Sequence, residues 1–194
     1  KAAQRRGYRV NLSLGAVDTK NIPESIEVKS FRYFDELFSL LKKEISSKKY
    51  CVLIHCAAVS DYRVRRVFKN KIASKRKNLK LTLVATVKIA NYIKNWDKKI
   101  FVDLFKLENG ISDTALIKRA RNTLVGAKGD LIAANKIYPK YKAIILDREK
   151  TYCRANDKKT LAEKLIKVIS KKIASSDNLR VRFSVVRKVF YPEG

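Results

Sequence analysis

Several short segments carry residues suited to chemistry, each placed at or just after an apolar run. Ala57-Ala58-Val59-Ser60-Asp61-Tyr62 follows the run Tyr50 to Cys56. Its small residues allow a backbone to approach a ligand closely, and the Asp61 carboxylate can hold a metal or a hydroxyl, or simply cap a turn. Lys69-Asn70-Lys71-Ile72-Ala73-Ser74-Lys75 offers ammonium groups for phosphates, or a solvated loop. Phe101-Val102-Asp103-Leu104-Phe105-Lys106-Leu107-Glu108 ends in an aromatic ring on which a base could stack, followed by a Lys-x-Glu pair. Gly129-Asp130-Leu131-Ile132-Ala133-Ala134-Asn135 ends in an amide. An amide both donates and accepts, so it can read a nucleobase edge or a substrate amide, or else bond its own backbone.

The elements that must position these groups alternate between strand and helix. Lys1 to Arg6 reads as a helix end closed by Gly7, and Tyr8 to Leu14 as a short strand. Ile26 and Val28 alternate briefly. Phe31, Phe34, Leu37, Phe38, Leu41 and Ile45 then share one helical face. The continuous apolar run Tyr50 to Cys56 has the form of a parallel strand buried on both faces. Leu79, Leu81 and Leu83 alternate as a strand after a long basic connection, and Val87 to Lys94 reads as a short helix. Ile100 to Phe105 is strand-like, and Ser112 is suited to cap a helix over Leu116, Ile117, Ala120 and Leu124. Gly129 to Ala133 and Ala143 to Leu146 read as buried strands, and Leu161 to Ile173 as a helix. Leu179 to Phe190, with Val181, Phe183 and Val185 alternating, reads as an edge strand. This pattern predicts a three-layer, Rossmann-like α/β fold with a largely parallel sheet and helices on both faces. Ligands in such folds bind at the carboxyl ends of strands. That points to residues 57–71, 105–110 and 134–138.

Composition narrows the class. At 194 residues and 46% hydrophobic, the chain fits one domain with a substantial core. No apolar run approaches the roughly 20 residues needed to cross a bilayer, and the first residues are not followed by the apolar stretch of a signal peptide. The three cysteines, Cys51, Cys56 and Cys153, lack metal-ligand spacing, which points to a reducing, cytoplasmic compartment. A net charge of +27 attracts polyanions. The lysines and arginines are dispersed along every segment, however, as on solvated faces, so neither specific nucleic-acid binding nor membrane binding is expected.

Taken in order, Ala-Ala-Val-Ser-Asp-Tyr, Lys-Ile, a Leu-x-Leu strand, Phe-Lys-Leu-Glu and Asp-Leu-Ile-x-Ala-Asn make the chain resemble phosphopantothenate–cysteine ligases from about Gly7 to Lys172. The resemblance implies ligation of 4′-phosphopantothenate and L-cysteine through an acyl-nucleotide, with ATP or CTP as co-substrate and Mg2+ present. It further implies that Asp61 lies near the nucleotide sugar or metal and that Lys71 stabilises the acyl-nucleotide phosphate. By the same carry-over, Phe105 lies beside the base, Asn135 closes the site, and Ala57 and Ala58 line the acyl group. Lys118, Arg119, Arg121 and Lys128 are the matching candidates for triphosphate cations, although their spacing departs from that of the bacterial fusion enzymes. The resemblance also implies a homodimer in which residues 62–85 reach across to the partner.

Other features depart from the family pattern. The glycine- and serine-rich nucleotide loop would precede Lys1, Gly15-Ala16 stands where Gly-Pro is usual, and Leu104 stands where glycine is common. The flavin-dependent decarboxylase domain of many bacterial relatives has no counterpart here, so no flavin is expected. Residues 179–194 acquire no role from the resemblance. Two other classes compete with the ligase. A dinucleotide-dependent oxidoreductase would need Gly-x-Gly-x-x-Gly after the first strand, and none is present. A nucleic-acid-binding module would interleave aromatic and basic residues on a sheet face, which Leu79 to Leu83 does not do.

Overall fold

A computed structural model describes residues 1–15, 22–66, 70, 72, 78–173 and 182–187. It contains an eight-stranded sheet in the order β2-β1-β10-β3-β6-β7-β8-β9, formed by β1 (Arg9–Leu14), β2 (Glu27–Ser30), β3 (Val52–His55), β6 (Phe101–Leu107), β7 (Leu131–Lys136), β8 (Lys142–Leu146), β9 (Thr151–Ala155) and β10 (Arg182–Arg187). Neighbours from β2 through β7 are parallel, whereas β8 and β9 close one side antiparallel. A separate antiparallel ribbon joins β4 (Tyr62–Val64) to β5 (Leu83–Ala85).

Helices α1 (Phe34–Ser46), α2 (Ala90–Trp96) and α3 (Asp113–Gly126) pack on one face, and α4 (Lys158–Ile173) on the other. The stripe expected on α1 is present: Leu37, Leu41 and Ile45 are buried, with Phe34 and Phe38 at its margin. Ser112 caps α3, its Oγ accepting the Ala115 N–H at 3.1 Å, so an otherwise unpaired donor of the first turn is satisfied. Gly7 closes the short 3-10 turn Gln4–Arg6 in the left-handed region at φ 80°, where a Cβ would be strained. All four residues of β3 are buried, as expected of a strand covered by helices on both faces. The result is the three-layer, Rossmann-like architecture expected from the sequence pattern.

Several expectations need correction. The C-terminal strand is not at an edge: β10 lies between β1 and β3, with Phe183 opposite both Val10 and Val52. Phe183 is fully buried. Alternation alone could not separate these positions, because an apolar residue at every second place suits a central strand whose other face carries small residues such as Ser184. Leu79 and Leu81 lie outside any strand and are exposed; only Leu83 to Ala85 pair, and they pair with the ribbon instead of the main sheet. Strand β9 has no strong apolar period and was not anticipated. It forms because β8 offers it an edge, with Ala143 opposite Ala155.

Candidate active site

The parallel strands end along one edge of the sheet; β3, β6 and β7 are neighbours there, and the segments that follow β6 and β7 are hydrogen-bonded to each other. Two of the expected site residues lie on neighbouring strands: Phe105 pairs in register with Ala133, and Leu107 with Asn135. Because side chains alternate, Phe105 and Asn135 both face the α4 side of the sheet, two residues apart along the edge. Phe105 is half-buried in the cluster beneath α4. The Asn135 carbonyl accepts the Glu108 N–H at 3.0 Å, while its side-chain amide makes no hydrogen bond among the described residues. The alternative in which that amide closes on its own backbone is therefore not what the strand end shows.

Ala57, Ala58 and Asp61 follow β3, the other neighbour of β6. Ala57 and Val59 pack against the core on the α1–α3 side, and this fixes the path of the loop. Thr86 ties the loop to β5, donating its Oγ1 to the Ser60 carbonyl at 2.5 Å and its N–H to the Asp61 carbonyl at 2.8 Å. The Asp61 carboxylate forms an exposed ion pair with Lys88. A pair this open to water contributes little to stability, so the carboxylate remains available to a ligand.

The four cations proposed on α3 are not brought together. The helix starts at the carboxyl edge and runs back along the sheet, each turn carrying its side chains about 5.4 Å further from that edge. Lys118 is exposed, and Arg119 is paired with Glu108 at 3.1 Å, a carboxylate that also holds Lys106 at 3.2 Å. Arg121 donates to the Glu149 carbonyl at 3.1 Å, in the turn between β8 and β9 at the opposite end of the sheet. Lys128 lies at that far end as well, two residues before Asp130, whose N–H bonds the carbonyl of Val102 near the start of β6. Arg121 and Lys128 thus stand away from Asn135. Lys71 falls outside the described residues.

Sequence reasoning passed over two features of this edge. Asp113, the first residue of α3, pairs with Lys136 at 2.6 Å and also with Lys142, and these two ammonium groups lower its pKa to about 2. Its position at a helix N-terminus adds to that preference for negative charge. The other feature is His55, the last residue of β3. It is buried, with no partner at Nδ1, and desolvation lowers its pKa to about 4. A histidine ending an apolar run directly before the Ala57-Ala58 loop was the available signal.

His55 has a measurable consequence. Its folded pKa lies below the unfolded 6.5, so the unfolded chain binds the proton first. The associated stability is complete above about pH 6.5 and is lost as pH falls towards 4, by up to about 3 kcal/mol. In chemical denaturation at pH 7 and pH 4.5, the wild type should lose more stability on acidification than His55→Leu does. Equal losses in the two proteins would refute this assignment.

A family model described as the DNA/pantothenate metabolism flavoprotein C-terminal domain, or DFP, matches residues 1–175. The chain belongs to this family. Among curated proteins, this DFP domain is 35% identical over 136 residues to the coenzyme A biosynthesis bifunctional protein CoaBC of Thermococcus kodakarensis. The match covers 70% of the chain, which spans only about a third (33%) of that relative's length. Among solved structures, the DNA/pantothenate metabolism flavoprotein from Streptococcus pneumoniae superposes with a TM-score of 0.73 at 23% identity, covering 90% of this chain and 84% of that one. The C-terminal domain of a CoaBC bifunctional protein gives a TM-score of 0.71 at 19% identity, covering 90% and 79%. A Cab2 mutant in complex with phosphopantothenate-cysteine gives 0.64 at 20% identity, covering 80% and 56%. At these identities the structural matches speak to the fold. No helix among the described residues of the DFP domain is long and apolar enough to cross a membrane.

Proposed function

We propose that this domain ligates 4′-phosphopantothenate to L-cysteine with a nucleoside triphosphate, ATP or CTP, in coenzyme A synthesis. The observation that carries the reading is the edge where β3, β6 and β7 end. There the Ala57-Ala58 loop and Asp61 follow β3, and Phe105 and the unengaged amide of Asn135 stand at the ends of the next two strands, in a chain of the DFP family. A carboxylate oxygen of phosphopantothenate attacks the α-phosphorus and pyrophosphate leaves. The cysteine amine then attacks the acyl carbon, the nucleoside monophosphate departs, and the amine proton passes to solvent. Positioning of the two reactants contributes more than a strong base, because the acyl group is already activated.

In this reading the Phe105 ring and the Asn135 amide hold the base. Backbone groups at Ala57 and Ala58 approach the acyl group, Asp61 lies towards the sugar, and Lys71 offsets charge on the acyl-nucleotide phosphate. Lys118 and Arg119 face the triphosphate more readily than Arg121 or Lys128. Mg2+ would enter with the triphosphate, and Asp61, whose ion pair with Lys88 is exposed, is the carboxylate that would hold it. A second copy of the chain is the expected partner of the β4–β5 ribbon, on which Tyr62 and Leu83 are more than half exposed (62% and 56%).

The test is pyrophosphate release by the full-length protein with ATP or CTP, with phosphopantothenate and cysteine each present or omitted. Release is expected only when phosphopantothenate and a triphosphate are both supplied. Equal release without phosphopantothenate would overturn the ligase reading.

A further inference from the structure

Tyr138 is the most exposed large hydrophobic side chain among the described residues, at 74%. A lone surface tyrosine needs no explanation, but this one stands on an unusually well-anchored loop. Each residue from Asn135 to Tyr138 is tied to the segment that follows β6. The Asn135 carbonyl accepts the Glu108 N–H at 3.0 Å. Lys136 Nζ donates to the Ile111 carbonyl at 3.3 Å and pairs with Asp113 at 2.6 Å. Asn109 Oδ1 accepts the N–H groups of both Ile137, at 2.9 Å, and Tyr138, at 3.3 Å. Tyr138 is therefore presented to water from an anchored backbone, three residues beyond the free amide of Asn135. Ile137 beside it is 54% exposed, and Leu107, opposite Asn135 in register, is 51% exposed. Phe105, the other aromatic of this edge, is half-buried against the core beneath α4.

We infer that Tyr138 is a stacking surface for the planar base of the bound nucleotide, and that Asn109 is the residue that positions it. An aromatic face accepts any base and gains more when its backbone is already ordered, because less freedom is lost on binding. An exposed ring on the same anchored loop as an unengaged amide suits a ligand that is flat and carries donors and acceptors on its rim, which describes a nucleobase. Lys136 is committed to Asp113, so beside the ring the loop offers the ammonium group of Lys140, which is exposed and makes no ion pair among the described residues. The inference rests on the proposed use of a nucleoside triphosphate and adds which side chain covers the base.

The test compares equilibrium binding of ATP, CTP and inorganic tripolyphosphate, which has no base, to the full-length protein and its variants. Tyr138→Ala should weaken nucleotide binding about tenfold and leave tripolyphosphate binding unchanged. Tyr138→Phe should recover the affinity lost in the alanine variant. Asn109→Leu should also weaken nucleotide binding, and Asn109→Asp, which keeps the accepting oxygen, should restore it. Nucleotide affinity unchanged in Tyr138→Ala would overturn the stacking role alone. An equal loss for tripolyphosphate would overturn it too, because the effect would then be general disturbance of the site. A wild type that binds neither nucleotide would overturn this inference together with the ligase reading.

Discussion

Asn135→Ala is expected to lower triphosphate-dependent turnover by about a hundredfold while changing thermal stability very little. The asymmetry follows from the strand end. The Asn135 carbonyl carries the contact with Glu108 and survives the substitution, whereas the side-chain amide bonds nothing among the described residues. An amide that holds no part of the fold can be removed without unfolding anything. If it pairs with the base, its loss leaves the donors and acceptors of the ligand unmatched in a partly desolvated site. Steady-state kinetics with saturating phosphopantothenate and cysteine, alongside a melting curve, provide the check. A fall in melting temperature with unaltered turnover would return Asn135 to a structural role.

Removing the carboxyl group of Asp103 should have the opposite character, raising stability by about 2 kcal/mol at neutral pH. Asp103 is fully buried in the middle of β6, opposite Ile54 and Leu131, and neither carboxyl oxygen has a partner. Desolvation pushes its pKa well above the ordinary value of 3.8. The unfolded chain therefore gives up its proton first as pH rises. Stability is unaffected below about pH 4 and falls as pH climbs from there towards the raised folded pKa. In Asp103→Val this fall should be absent, so the variant's advantage grows between pH 4 and neutrality. Unfolding free energies measured at several pH values distinguish the cases. An advantage independent of pH would mean that β-propensity and packing produce it, and a variant less stable than wild type would mean that the carboxyl has a role in the folded protein.

The parts of the fold that could be read in the sequence are those set by local chemistry or by burial on a single element. Val52 to His55 could be read as a buried strand because a segment covered on both faces admits no polar alternation. Ser112 could be read as a cap because only an oxygen at that position satisfies the first turn of α3. The stripe on α1 follows from the helical period. The segments that end in Ala57-Ala58, Phe105 and Asn135 were legible as site candidates because each is a run of strand type followed by residues of unlike chemistry.

Tertiary structure decided whatever depends on which distant segments meet. The alternation around Phe183 is the same for an edge strand and for β10, and only hydrogen bonding to β1 on one side and β3 on the other makes it central. The family resemblance placed Lys118, Arg119, Arg121 and Lys128 in one group, but the direction of α3 divides them between the two ends of the sheet. Asn109 carries no sequence signal of its own; its importance comes from accepting two N–H groups from a loop that lies 28 residues or more further along the chain. Asp103 reads as one more polar residue in a strand until the sheet and α4 close over it and remove the water that would have kept it charged. Residue types and local periods thus determined the elements and nominated the site, because those properties act within one turn or one strand. The central place of β10, the division of the α3 cations and the isolation of Asp103 arise from packing between segments far apart in sequence, which no local pattern specifies.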